Sequence, residues 1–92
     1  MRELQEKAKM LIKDGHTNDA IVILEGIIRS WESPSDEVYY LLGNAYRKMG
    51  NWQGALNNYQ DAININPESP AKEAREMIMD ILNFYNKDMF NQ

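Results

Sequence analysis

The sequence predicts an all-α protein built of antiparallel helix–turn–helix repeats, five helices in total. Three observations carry that prediction. Tyr39, Leu42, Gly43 and Tyr46 follow the i, i+3, i+4, i+7 spacing of one helical face. After a break at Met49-Gly50-Asn51, a second set follows at Ala55, Tyr59 and Ala62, with Ile63 beside it, and Pro67 closes the unit. A weaker copy of the same pattern stands 35 residues earlier in the chain. Two amphipathic helices joined by so short a glycine turn lie antiparallel with their apolar stripes facing.

The first repeat covers about residues 1–33. Leu4, Ala8 and Leu11 stand where Tyr39, Gly43 and Tyr46 stand later, and Lys13-Asp14-Gly15-His16 matches Lys48-Met49-Gly50-Asn51. Ala20, Ile21, Leu24 and Ile27 then match Ala55, Leu56, Tyr59 and Ala62. Lys7 and Glu32 depart from the pattern, standing where Leu42 and Pro67 stand. Gly15 and Gly50 are expected to adopt positive φ after the first helix of each pair. Gly26 lies mid-helix, where glycine costs roughly 1 kcal/mol relative to alanine.

The second repeat covers about residues 34–67. Ser33-Pro34-Ser35-Asp36 offers an N-cap serine, a proline at the first helical position and an acid in the first turn. Gly43, Ala55 and Ala62 are small where two helices must approach closely, and the tyrosines fill the space around them. Ser69-Pro70 repeats the same start and opens a fifth helix over about 70–88. Carrying the 35-residue frame forward places Ala74, Met77, Ile78 and Ile81 on its core face. Met79, Phe84, Tyr85, Met89 and Phe90 then lie beyond that face, and Asn86 to Gln92 is expected to fray. A terminal helix of this kind covers the last exposed side of a repeat stack.

Composition bounds the function. The chain has 92 residues, 43% hydrophobic and 26% charged, and suits one small folded domain spanning 1–92. No apolar run reaches the length of a membrane span, and the charged N-terminus lacks the core of a signal peptide. The absence of cysteine excludes disulfides and thiolate metal sites. A cytoplasmic location is the expectation. A net charge of −4 argues against a general nucleic-acid binder, whose affinity needs a basic surface.

The matched positions of residues 36–67 resemble the tetratricopeptide repeat, a helix–turn–helix unit of about 34 residues. Tyr39 stands where that family most often has tryptophan; Leu42, Gly43, Tyr46, Ala55, Tyr59, Ala62 and Pro67 follow at the family's spacing. The resemblance implies a short right-handed superhelical solenoid, a non-enzymatic scaffold for protein partners, and no cofactor. It also implies a concave groove lined by the first helix of each repeat. Carried over, the groove residues are Arg2, Gln5, Lys9 and Lys13, then Glu37, Tyr40, Asn44, Arg47 and Lys48, then Lys72, Arg75 and Met79. Seven of the ten basic residues fall in that set, which favours an acidic peptide ligand. One subgroup of the family grips a terminal carboxylate with a five-residue clamp, of which only Lys72 matches here.

His16, flanked by Asp14 and Asp19, is the only histidine, yet it stands where the second repeat has Asn51 and reads as a turn residue. Neither a metal-spaced cluster nor a catalytic constellation accompanies it. Tyr39, Tyr46 and Tyr59 occupy packing positions; Trp52 is expected to pack between repeats and Trp31 to cover the loop before Pro34. Tyr40 points away from the core stripe and is expected to take part in binding. A second candidate role is weak self-association as a homodimer through the apolar outer face of the C-terminal helix.

Overall fold

Most of the described residues are helical in the computed structural model, which describes residues 2–30 and 35–90, with side chains as far as residue 84. The elements are α1 (Arg2–Lys13), α2 (Thr17–Ser30), α3 (Asp36–Lys48), α4 (Trp52–Ile65) and α5 (Ala71–Phe90). The expectations for Trp31, Ser33 and Pro34, and for the side chains of Tyr85, Met89 and Phe90, lie outside the described residues. The helices stack into an elongated body with principal extents of 49 × 28 × 18 Å.

The two hairpin turns are built alike. Gly15 and Gly50 adopt φ of 90° and 82°, the left-handed region that any side chain would strain. In each turn two hydrogen bonds close the preceding helix: Gly15 N–H donates to Ile12 O and His16 N–H to Leu11 O, as Gly50 does to Arg47 and Asn51 to Tyr46. This pair of bonds satisfies carbonyls that the helix end would otherwise leave orphaned. The residue after the glycine then starts the next helix. Asn51 Oδ1 accepts from Gly54 N–H at 2.9 Å, an N-cap, and His16 occupies the same place before α2.

The core divides into two clusters that meet on α3. Ala8, Ile12, Ala20, Ile21, Leu24 and Ile27 of the first hairpin pack with Val38, Leu41, Leu42 and Ala45. Ala55, Tyr59 and Ala62 pack with Ala71, Ala74 and Ile78. Tyr39 and Tyr46 are half-buried and touch both clusters, so α3 is the layer the others are built on. Its pairing with α4 is the most extensive of any two helices. Gly43 makes that pairing possible, since a Cβ there would run into Cδ1 and Cε1 of the Tyr59 ring.

Several expectations need correction. α3 begins at Asp36 with Ser35 at its N-cap, after the Ser33-Pro34 start, and the Ser35 side chain makes no capping bond. On α1, Leu4 is 42% exposed and Ile12 is buried, so the packed stripe of this helix lies one residue off the expected Leu11 position and does not include Leu4. Trp52 opens α4 and is half in solvent, at 38% exposure. The largest departure is on α5, which runs on to Phe90. Ala71, Ala74 and Ile78 form its packed face with Leu82, whereas Met77 and Ile81 are 58% and 44% exposed. Met79, expected beyond the packed stripe, is half-buried. No second helix of a third hairpin covers α5 among the described residues, so only the side that meets α4 and the α3 tyrosines is enclosed. Gly26 has open space where a Cβ would stand, and nothing in the structure explains the glycine.

Candidate functional site

By helical spacing the expected groove residues of α1 share one side of that helix, and those of α3 share one side of theirs. Of the twelve groove residues expected from the sequence, Gln5, Tyr40, Asn44, Arg75 and Met79 are half-buried. Arg2, Lys9, Lys13, Glu37, Arg47, Lys48 and Lys72 are exposed. Half-burial of Gln5, Tyr40 and Asn44 suits the floor of a trough; on α5, Lys72, Arg75 and Met79 instead lie on the side of the helix away from Pro70, the residue that shares a recess with Glu37 and Tyr40 of α3.

The α3 part of the floor is held rigid from beneath. Tyr59 on α4 is fully buried, and its hydroxyl donates a hydrogen bond to Asn44 Oδ1. That bond engages the carboxamide oxygen, so the two N–H donors of Asn44 are not the groups Tyr59 uses. Burial pushes the Tyr59 phenol up to about 12; the nearby Arg47 charge pulls it down and Tyr40 adds a smaller upward push. The hydroxyl therefore stays a neutral donor across the physiological range. The ring of Tyr40 lies against that of Tyr59, centroids 6.0 Å apart and planes 37° from parallel. Tyr40 thus rests on the core with one side and opens outward with the other, where the sequence pattern expected it to point wholly away.

Beside Tyr40 the surface falls into a recess of about 260 Å³ lined by Asp36, Glu37, Tyr40 and Pro70. The loop between α4 and α5 shapes its rim. Asn66 Nδ2 donates to Asp36 Oδ2 at 3.3 Å while Asn66 Oδ1 accepts from Glu68 N–H at 3.0 Å. Buried Ser69 accepts from Ala71 N–H through Oγ at 3.1 Å, which caps α5 and sets Pro70 in its first turn.

Lys48 has a role that no sequence pattern signals. Its ammonium donates to Ile12 O at 2.8 Å and Lys13 O at 3.1 Å, closing the C-terminal end of α1. A cation there suits the negative end of a helix and ties the two groove helices together. The Tyr59–Asn44 bond is equally invisible in the sequence, because nothing in a packing pattern says which polar neighbour a core tyrosine will meet. His16 is exposed, and no group of three or more metal-ligating side chains is found among the described residues. No described helix is long and apolar enough to cross a membrane.

A family model described as "Tetratricopeptide repeat" matches residues 36–69. The chain is similar to the solution NMR structure of Bacteroides fragilis protein BF1650, with 56% identity and a TM-score of 0.86. That likeness covers 100% of this chain and 92% of the other. No curated protein matches.

Proposed function

This chain belongs to the tetratricopeptide repeat family, and from that premise we propose that it is a non-enzymatic interaction module holding a peptide segment of a protein partner across its concave face. The observation that supports this most is the Tyr40–Asn44 pair, clamped from below by Tyr59 and standing beside an open recess. A rigid aromatic surface next to a fixed amide donor suits an extended peptide, offering an apolar contact and a backbone hydrogen bond together. The ordering cost is already met before the ligand arrives.

Arg2, Lys9 and Lys13 lie exposed at the α1 end of the trough. Acidic residues at one end of the ligand would meet them there. Each exposed pair is worth only about 0–1 kcal/mol, so their effect is collective, appearing in association rate and salt dependence. Fluorescence anisotropy with a labelled neutral peptide and a companion carrying an acidic end tests both parts. The acidic companion is expected to bind more tightly at low salt and to lose that advantage as salt is added. Tyr40→Ala is expected to weaken both peptides about tenfold at any salt, the equivalent of losing about 1.4 kcal/mol of apolar contact. Equal binding by wild type and Tyr40→Ala would remove the reading.

A further inference from the structure

On α5 the exposed apolar residues are not scattered. Met77, Ile81 and Phe84 are 58%, 44% and 66% exposed. They stand seven, eleven and fourteen residues after Pro70, about two, three and four helical turns, and so continue the side of the helix on which Pro70 lies. Pro70 shares its recess with Glu37 and Tyr40, two groove residues of α3. Lys72, Arg75 and Met79 come two, five and nine residues after Pro70, which puts them on the opposite side. The packed row Ala71, Ala74 and Ile78 runs between these two sides.

We infer that α5 contributes an apolar wall of Met77, Ile81 and Phe84 to the groove, and that this wall takes the large apolar side chains of a ligand flanked by basic residues. The inference rests on the groove reading above and adds the ligand class at its far end. The charge around the wall selects the flank. Glu73 and Asp80 border the stripe on α5, Asp36 and Glu37 line the recess at its foot, and both α5 acids are exposed. A ligand with lysine or arginine beside its apolar residues complements these carboxylates, whereas an acidic flank is repelled. The groove is therefore bipolar: basic over α1, apolar with an acidic border over α5. A second copy of this chain is a poorer occupant. An antiparallel α5–α5 pairing that faces Met77 with Phe84 of the partner copy would bring the Asp80 of each copy together beside the two-fold axis, acid against acid.

The test uses the whole chain and three labelled synthetic peptides sharing one acidic end. Their other ends carry leucines flanked by lysine, the same leucines flanked by glutamate, and serines flanked by lysine. The variants are Ile81→Ser, Met77→Ser and Tyr40→Ala, each checked by thermal melting; the exposure of residues 77 and 81 leaves the fold intact. The leucine–lysine peptide is expected to bind wild type about tenfold more tightly than the serine peptide and several-fold more tightly than the glutamate one. Ile81→Ser and Met77→Ser should each remove most of the advantage over the serine peptide and leave the serine peptide's own affinity unchanged. If Tyr40→Ala weakens binding while Ile81→Ser and Met77→Ser do not, the groove stands and the α5 wall falls. If wild type binds no peptide of the three, both fall. A concentration-dependent dimer in sedimentation equilibrium, abolished by Ile81→Ser, would assign the stripe to a second copy and overturn the inference.

Discussion

Two residues show how much rests on single contacts. At Gly43 the helices α3 and α4 meet with no room for a methyl group, since the Tyr59 ring fills the place a Cβ would take, its Cγ 3.0 Å away. That ring is backbone-anchored on α4 and fully buried, so it cannot swing aside. Gly43→Ala is expected to destabilise the protein by about 1–3 kcal/mol despite alanine's better helix propensity, read as a lowered urea midpoint with unchanged slope. A midpoint equal to or above that of wild type would show that the two helices stand further apart at this crossing. Tyr59 supplies a pH test. Its phenol titrates near 12 when folded and near 10 when unfolded, so the unfolded chain releases the proton first as pH rises. The stability it contributes is complete below about pH 10 and is lost progressively toward pH 12. Melting curves across that window should show a fall that Tyr59→Phe reduces, and an identical slope in the variant would contradict the burial of the hydroxyl.

At the scale of elements, what the sequence makes legible follows from redundancy. α1 to α4 each face two or more constraints: a turn glycine on one end, small residues at the crossing, a partner helix with a complementary stripe. Gly15, Gly50, Ala8, Ala20, Ala55 and Ala62 therefore fall where the 35-residue frame puts them. α5 packs chiefly on α4, with the α3 tyrosines beside it, and its apolar residues occupy two sides of the cylinder. Periodicity says that a stripe exists but not which of two stripes is packed, and the frame carried forward from α3 selects Met77 and Ile81 with Ala74 and Ile78. The proposed groove is a row of residues on α1 and α3 that the repeat frame names. The bonds that fix it, Tyr59 to Asn44 and Lys48 to the end of α1, join residues far apart in sequence and leave no local pattern. The two isoleucines of α5 separate its sides. Ile78, 1% exposed, should cost about 2–5 kcal/mol on replacement by alanine, whereas Ile81→Ala should cost well under about 1 kcal/mol. Equal losses at the two sites in chemical unfolding would mean that α5 is rotated about its axis, with both isoleucines equally packed.

For the molecule as a whole, the stack of helices places its packed interior between α3 and its neighbours. In the proposed reading, basic side chains at α1, an aromatic and an amide at α3, and an apolar stripe with acidic borders at α5 share one open face. No single residue there is decisive. Affinity should come from the rigid centre, and selectivity from the two ends. The central claim is that a partner segment lies across this face, and chemical-shift mapping on isotope-labelled protein tests it most directly. On titration with the peptide that has an acidic end and a leucine–lysine end, the amides of Gln5, Lys9, Tyr40, Asn44 and Ile81 should move together, saturating at one peptide concentration. Shifts confined to exposed positions on α2 and α4, such as Val22 and Gln53, with the α3 row unmoved, would contradict it.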